Sequence, residues 1–240
     1  MDLKIAGKCA LIGASGQGLG KACALRLAME GCNVAMCDIN EAALNKGFES
    51  VVSAHPNVVV KKYLADLTQG EQIAAMVEAV TSDIGSVDIL VTNSGGPPPG
   101  TFDVATDDKW LRAYELTFLS AARLIRLVLP GMKERKWGRI INLTSRTLRE
   151  PIANLMISNA VRLAVAGMAK TLAGEVAGDG VTVNNVGPGP TSTARAIELA
   201  TARAEKKGIS VEEEIAATNQ RIPRGRMATP EEIADTVGFL

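Results

Sequence analysis

The sequence predicts an α/β protein with one doubly wound parallel sheet that is flanked by helices on both faces. Short apolar runs alternate with longer amphipathic stretches along the whole chain, and right-handed strand–helix–strand crossovers produce this order. The apolar runs are rich in Val, Ile and Leu and lack regular polar alternation, which is typical of strands buried on both faces. No repeat or linker marks a second domain, so we predict a single domain over residues 1–240.

Six strands and six helices follow from these patterns. The strands are predicted at residues 8–12, 33–37, 58–63, 88–91, 139–143 and 181–186. The helices between them are predicted at residues 18–30, 41–54, 69–84, 106–134 and 154–178. A last helix is predicted to begin after Thr229, because threonine is a good N-cap residue, Pro230 suits the first helical position, and Glu231 and Glu232 complement the helix dipole.

Residues 191–226 interrupt this alternation. The segment is rich in Ala and Glu and helical in propensity, and it lies between the sixth strand and the last helix. An insertion at the carboxyl edge of a parallel sheet is where a substrate lid would lie. A purely structural pair of helices explains the same composition equally well, so both interpretations stay open here.

Charge and composition exclude several classes of protein. The chain has 26 basic and 26 acidic residues and a formal net charge of zero, which gives no broad electrostatic surface for nucleic acid or an anionic membrane. No apolar run approaches the length of a membrane span, and the first residues lack the apolar core of a signal peptide. We therefore expect a cytoplasmic protein that binds neither nucleic acid nor membranes.

The cysteines and the histidine indicate no metal site. Cys9, Cys23, Cys32 and Cys37 form no Cys-x-x-Cys pair, and we expect them to be reduced, small apolar side chains. The only histidine, His55, falls in a predicted loop. A zinc site and a Ser-His or Cys-His hydrolase are therefore both unexpected.

A glycine-rich loop follows the first predicted strand and opens the first helix. It reads Gly-Ala-Ser-Gly-Gln-Gly-Leu-Gly over residues 13–20. Glycines let the backbone turn sharply and approach a pyrophosphate, which the free N–H groups and positive dipole end of the helix attract. The second strand leads into Asp38, and an acidic residue there accepts hydrogen bonds from the adenosine ribose and repels a 2′-phosphate. These features predict a site for NAD, with NADP less favoured.

Four more motifs follow predicted strands, and together the five resemble the short-chain dehydrogenase/reductase family over nearly the whole chain. They are Ala-Asp-Leu at 65–67, Asn-Ser-Gly-Gly at 93–96, Asn-Leu-Thr-Ser at 142–145 and Asn-Asn-Val-Gly-Pro-Gly at 184–189. The resemblance implies a Rossmann-type fold and NAD(P)-dependent hydride transfer between nicotinamide and a small alcohol or ketone. One departure lies in the glycine-rich loop, where Ala14 replaces the first glycine of the family pattern.

The resemblance also implies which residues hold the cofactor. Asp66 is expected near the adenine, Asn93 supports the loop after the fourth strand, and Thr193 flanks the nicotinamide. The full set of expected cofactor residues is Gly13, Ser15, Gln17, Gly18, Leu19, Gly20, Asp38, Asp66, Leu67, Asn93, Ser94, Gly95, Thr144, Arg162, Pro188, Gly189 and Thr193.

The catalytic pattern of the family is altered in this chain. Members of the family use a Ser, a Tyr, a Lys one helical turn after that Tyr, and an Asn on the preceding long helix. Ser145 matches the Ser, but Ser158 and Arg162 stand at the Tyr and Lys positions, and we place Glu115 at the Asn position. No tyrosine lies within residues 145–170, so a shifted alignment does not restore the pair.

Two hypotheses follow from these replacements. Ser158 and Arg162 share a helix face, and arginine stays protonated, so it clamps an oxyanion or binds the cofactor ribose but does not relay protons. In the first hypothesis hydride transfer is retained: Ser145 and Arg162 stabilise the developing alkoxide, and water or Glu115 handles the proton. In the second, the chain is a dinucleotide-binding protein without redox activity that acts as a sensor or assembly partner.

The rim of the site bears on the substrate. The loop 95–100 contains three prolines, which stiffen it, and it is predicted to form either a wall of the pocket or an ordinary connection. If Arg146 and Arg149 converge with Arg162, an anionic substrate is indicated; the alternative is that both are solvated loop charges.

The two longest predicted helices, 106–134 and 154–178, indicate self-association. Both carry apolar residues on more than one stripe, and in a monomer one stripe would face the sheet while the other stayed exposed. Related proteins pair these helices across two-fold axes, so a homodimer or homotetramer is expected.

Overall fold

The computed structural model of the protein describes residues 2–240. Six parallel strands form one sheet in the order β3-β2-β1-β4-β5-β6. The chain adds strands on one side of β1 up to β3 and then continues on its other side with β4, and such a switch point opens a crevice between β1 and β4 at the carboxyl edge of the sheet. The strands are β1 (Cys9–Ile12), β2 (Asn33–Asp38), β3 (Val60–Leu64), β4 (Ile89–Thr92), β5 (Gly138–Leu143) and β6 (Val181–Val186). The predicted single-domain, doubly wound architecture is therefore confirmed.

Helices connect the strands and cover both faces of the sheet. They are α1 (Gly18–Met29), α2 (Glu41–Ala54), α3 (Gly70–Asp83), α4 (Asp107–Ala113), α5 (Ser120–Glu134), α6 (Met156–Val176), α7 (Ala194–Lys207), α8 (Val211–Gln220) and α9 (Pro230–Phe239). The segment predicted as one helix over 106–134 is interrupted by a π-helical turn at Tyr114–Leu119. Thr229 caps α9 as predicted, because its hydroxyl accepts a hydrogen bond from the Glu232 backbone N–H.

Alternate residues of β1 build two cores. Ala10 and Ile12 pack on the face covered by α1, α2 and α9, whereas Cys9 and Leu11 pack on the face covered by α3 and α5. The central strands are thus buried on both sides, as predicted. The edge strand β3 is different, because its Lys61, Lys62 and Leu64 are exposed; charged side chains on an edge strand discourage pairing with another sheet.

The four cysteines are free and buried, and burial raises the pKa of each thiol to about 12. They are therefore apolar core residues, as expected from the sequence. Within residues 2–240, no group of His, Cys, Asp or Glu side chains is arranged to hold a metal ion. None of the helices in this part of the chain has the length and apolar character needed to cross a membrane.

The insertion at 191–226 is a helical hairpin made of α7 and α8. Its two ends lie side by side: Thr191 forms a parallel bridge with Ala228, and the Ala228 N–H donates to Pro190 O at 3.0 Å. The hairpin therefore leaves and rejoins the domain at nearly one place, at the carboxyl edge of the sheet.

Candidate functional site

The glycine-rich loop joins β1 to α1 at the switch point of the sheet. Gly18 has a left-handed φ of +57°. A Cβ on Gly13 would lie 2.4 Å from Asn93 O, and a Cβ on Gly20 would lie 2.3 Å from Ala14 O, so both positions require glycine. Gln17 occupies the N-cap of α1 without a side-chain capping bond, which leaves the first N–H groups of that helix free for a pyrophosphate. The residues present therefore fit a dinucleotide.

Asn93 ties this loop to the end of β4. Its Nδ2 donates to Gly13 O and to Ala14 O, both at 3.2 Å. On the other side of the loop, the Ser15 backbone N–H donates to Cys37 O at 2.8 Å. Strands β2 and β4, which flank β1, thus hold the loop in place.

Ala14 has a left-handed backbone conformation, with φ of +43°. L-residues adopt this region only at a cost of about 1–2 kcal/mol, because Cβ approaches the following carbonyl oxygen. The backbone at Ala14, which the sequence resemblance sets against a glycine, is therefore in a conformation that favours glycine.

Asp38 ends β2 directly beside the loop. Its Oδ2 accepts from the Gly16 N–H at 3.0 Å and its Oδ1 accepts from the Asn40 N–H at 2.9 Å. The backbone of α2 approaches the same point, since a Cβ on Gly47 would lie 2.5 Å from Gly16 O. Each carboxylate oxygen keeps further lone pairs, so Asp38 fixes the loop and still offers acceptors to a bound ribose.

Asp66 lies after β3 and organises the next loop of the carboxyl edge. Its Oδ1 accepts from the N–H and the hydroxyl of Thr68, at 2.8 and 2.9 Å. Leu67 beside it is buried. After β4, Ser94 is half-buried and Gly95 is exposed, so this stretch is accessible at the carboxyl edge; its contact with a cofactor stays a prediction.

The start of the hairpin lies close to the glycine-rich loop. Thr193 is the N-cap of α7, and its Cγ2 would lie 3.8 Å from a Cβ on Gly18. Pro188 O accepts from the Arg146 N–H at 3.0 Å, and Gly189 O accepts from the Thr191 hydroxyl at 3.0 Å. The structure therefore brings the two ends of the predicted cofactor set, residues 13–20 and 188–193, to one place.

Arg162 lies at the carboxyl end of β5. Its Nε donates to Ser158 Oγ at 3.2 Å, and its Nη1 donates to Thr144 O at 3.0 Å and Leu143 O at 3.4 Å. Ser158 is only 8% exposed. Burial lowers the pKa of the Arg162 guanidinium, but the group remains a cation because arginine starts above about 12. Ser158 and Arg162 thus form one polar unit.

A cavity of about 10 Å³ adjoins Arg162, which is room for one water molecule. It is bounded by α5, the π-helical turn and the ends of β4 and β5, and its lining includes Thr117, Ser120, Ala121 and Leu124. The Thr117 hydroxyl is buried without a hydrogen-bond partner. A water here would satisfy Thr117.

Glu115 does not line this cavity. It is exposed on the outer side of the π-helical turn, and Thr117 is the residue of that turn that faces Arg162. Sequence reasoning missed Thr117, although the spacing of residues 117, 120, 121 and 124 marks one helix face.

Ser145 follows β5 and is half-buried. Its Oγ accepts from the Thr147 N–H at 3.3 Å, so its own proton is free to donate to a substrate. The proline-containing loop is held against the start of α6, because Gly100 and Leu155 form a parallel bridge. Arg146 pairs with Glu150 at 3.5 Å and both are exposed.

A buried polar chain crosses the sheet next to the site. The Thr92 hydroxyl donates to Asn142 Oδ1 at 2.7 Å, and Asn142 Nδ2 donates to Asn185 Oδ1 at 3.2 Å. Asn142 is fully buried, and the three residues are register partners on β4, β5 and β6. This chain fixes the relative positions of the strand ends that carry Asn93, Ser145 and the 184–189 segment.

Known proteins are similar to this chain in sequence and in fold. The family described as enoyl-(acyl carrier protein) reductase matches residues 13–240. D-beta-hydroxybutyrate dehydrogenase of Cupriavidus necator is 32% identical over 237 residues, which are 98% of this chain and 90% of that protein. The chain belongs to the short-chain dehydrogenase/reductase family. The oxidoreductase function predicted from the motifs is confirmed at this level, and the relatives do not support the alternative without redox activity.

Solved structures agree with this assignment. L-sorbose reductase from Gluconobacter frateurii, complexed with NADPH and L-sorbose, has a TM-score of 0.94 and 33% identity, over 100% of this chain and 91% of that one. A 7α-hydroxysteroid dehydrogenase complexed with NADH and 7-oxo glycochenodeoxycholic acid has a TM-score of 0.87 and 29% identity, over 100% of this chain and 89% of that one.

Proposed function

We propose that this short-chain dehydrogenase/reductase uses NAD to interconvert a small alcohol and its ketone in an atypical active site. A bound nicotinamide supplies or accepts the hydride. The chain's own residues bind the dinucleotide at 13–20, Asp38 and 188–193, and orient the reacting oxygen near Ser145. The observation that carries the proposal is the placement of Arg162 and Ser158 as one polar unit at the carboxyl end of β5, beside the crevice.

The preference for NAD rests on Asp38. Its carboxylate lies at the end of β2 beside Gly16 and keeps acceptor capacity for the two ribose hydroxyls. A 2′-phosphate at this place would meet a negative charge. Relatives differ here, since the L-sorbose reductase holds NADPH and the hydroxysteroid dehydrogenase holds NADH, so the chain's own residue decides the proposal.

The proposed chemistry differs from that of a Tyr–Lys pair. Ser145 donates its hydroxyl proton in a hydrogen bond to the substrate oxygen, and the Arg162 cation stabilises the negative charge that develops there. Arg162 stays protonated throughout and so does not relay protons, and a serine hydroxyl is too weakly acidic to replace an activated phenol. The proton comes from water, for which the cavity between Thr117 and Arg162 offers a site. Glu115, the other donor considered from the sequence, is exposed on the outer side of the π-helical turn and does not line that cavity.

The substrate is proposed to be a small alcohol or ketone. An anionic substrate would need Arg146 and Arg149 to join Arg162, but Arg146 pairs with exposed Glu150 and Arg149 is exposed. The case for an anion therefore rests on Arg162 alone. The hairpin 191–226, whose first helix reaches Gly18, is proposed to be the substrate lid.

The first experiment is thermal unfolding of the protein with NAD, NADH, NADP or NADPH. A ligand at a hundredfold excess over its Kd stabilises the folded state by about 2.7 kcal/mol, so NAD and NADH should raise Tm and NADP and NADPH should raise it less. No shift with any of the four dinucleotides would refute the proposal.

The second experiment tests the active site with a panel of alcohols and ketones. Arg162→Met should abolish turnover, while Arg149→Met, which changes an exposed loop arginine, should leave the rate unchanged. Dinucleotide binding without turnover by the unaltered protein on the whole panel would favour the sensor or assembly role instead.

A homodimer or homotetramer is proposed from the outer faces of α5 and α6. Leu127 on α5 is 41% exposed and Leu163 on α6 is 48% exposed, and both helices belong to the pair that the sequence predicts at the interface. Sedimentation should give a dimer or tetramer mass; a monomer at micromolar concentration would contradict this part of the proposal.

A further inference from the structure

The hairpin of α7 and α8 has almost no apolar core of its own. The buried residues of α7 are Ala200 and Ala204, and the one buried residue of α8 is Glu214. Burying a single methyl group contributes only about 0.8 kcal/mol, and helices of 14 and 10 residues are marginal when isolated. Polar contacts must therefore hold the two helices together.

Glu214 makes those contacts. It is 4% exposed, and its two oxygens accept from Arg203 Nε and from Lys207 Nζ, each at 2.6 Å. Arg203 and Lys207 are four residues apart, so they lie on one face of α7. These two hydrogen bonds hold the pKa of the Glu214 carboxyl below its usual range. A buried carboxylate is tolerated only when it is paired in this way.

The other end of α7 lies over the dinucleotide site. Thr193 caps the helix and accepts from the Ala196 N–H at 3.2 Å, and it is the residue whose methyl group lies next to Gly18. The foot of the hairpin is fixed by the Ser192 N–H, which donates to Ala228 O at 2.9 Å. α7 therefore connects Gly18 at its first turn with Glu214 through its last two turns.

We propose that Glu214 is a positioning residue that makes the lid a single body. Its carboxylate locks α8 onto the last turns of α7, so that contact between a dinucleotide and Thr193 at one end also orders α8 at the other. Glu214 touches neither substrate nor cofactor and acts through α7. This inference rests on the proposed dinucleotide site and lid.

The test is amide hydrogen exchange with and without saturating NADH. In the unaltered protein, NADH should slow exchange in the loop 13–20, in α7 and also in α8, by about tenfold in the helices. Glu214→Gln keeps the shape of the side chain but removes its charge. We expect this variant to keep the slowing in 13–20 and lose it in α8.

Glu198→Gln, on the other helix of the hairpin, is the matched control. Glu198 pairs with Arg195 at 3.3 Å, and both side chains are more than half exposed, so this variant should respond to NADH as the unaltered protein does. A general loss of lid stability would already speed exchange in α8 in the absence of NADH. The role proposed for Glu214 is tested instead by the difference in α8 exchange with and without NADH.

The outcomes separate the two proposals. No slowing in 13–20 of the unaltered protein would refute the dinucleotide site itself. Slowing in 13–20 but not in α8, or slowing in α8 that survives Glu214→Gln, would overturn the role of Glu214 alone. If Glu214→Gln folds poorly, Lys207→Gln takes its place, because it removes one of the two partners of Glu214 on α7 at a side chain that is half exposed. The NADH effect on α8 should then shrink, and an effect that survives this change in full would overturn the role of Glu214.

Discussion

Replacing Ala14 by glycine should stabilise the protein. Ala14 holds a φ of +43°, which costs an L-residue about 1–2 kcal/mol. Glycine removes that cost but loses more conformational freedom on folding, about 0.5–1 kcal/mol. The midpoints of these two ranges differ by about 0.75 kcal/mol, which is the gain predicted for Ala14→Gly. A chain of 240 residues shifts its Tm by about 2–4 °C for each kcal/mol, so Tm should rise by about 1.5–3 °C.

The assay is thermal and urea unfolding of Ala14→Gly beside a control of opposite sign. Ala75 is exposed within α3, where alanine is the best helix former, so Ala75→Gly should lose about 0.5–1 kcal/mol. The same Ala→Gly change is thus expected to stabilise one site and destabilise the other. If Ala14→Gly is no more stable than the unaltered protein, the backbone strain at Ala14 is not real and the reasoning fails.

Three further predictions follow from packing, hydrogen bonding and ionisation. Gly47→Ala places a Cβ 2.5 Å from Gly16 O, so it should lower the free energy of unfolding in urea by about 1–3 kcal/mol and weaken the Tm shift by NAD. Gly174→Ala, whose Cβ would have no atom within 4 Å, should show neither effect. Equal behaviour of the two variants would refute the contact. Asn142→Leu breaks one buried and one partly buried hydrogen bond and should lower the free energy of unfolding by about 1–3 kcal/mol. A neutral result would show that the polar chain across the strands is dispensable. Burial raises the pKa of the folded thiols to about 12, so the thiols of the unfolded chain ionise at lower pH, and the urea midpoint should fall as pH rises above about 8.5. Cys23→Ala removes one such thiol and should lessen that fall. Identical pH profiles of the variant and the unaltered protein would count against this cause.

The sequence predicted the fold well where the signal is local. The apolar residues of β1 and the capping residues around Thr229 act over a few positions, so their patterns are legible in the chain. The edge position of β3 depends on which strands pair beside it, a long-range property, although Lys61 and Lys62 within the strand were a sign that both faces could not be buried.

The site divides in the same way. The loop 13–20 and Asp38 are local features of strand ends and were placed from the sequence. The inward residue of the helix before β5 was not, because Glu115 was assigned by matching it to the Asn position of the family, and such a match does not show which way a side chain faces. Glu115 lies outside and Thr117 inside, as the helical spacing of residues 117, 120, 121 and 124 would have indicated. Glu214 was also invisible, since an acidic residue on a polar helix is indistinguishable from a solvated one until its partners on the neighbouring helix are known.

The side-by-side ends of the hairpin have a consequence for how such a domain diversifies. Thr191 and Ala228 are bridge partners, so the segment between them begins and ends at the same place. Lengthening or exchanging that segment leaves the distance between its ends unchanged, and the entropic cost of closing a longer loop grows only logarithmically with its length. A chimera that keeps Thr193 and carries another protein's segment from there to Ala228 should therefore keep the sheet and the glycine-rich loop intact, with the graft altering only which molecules reach the crevice.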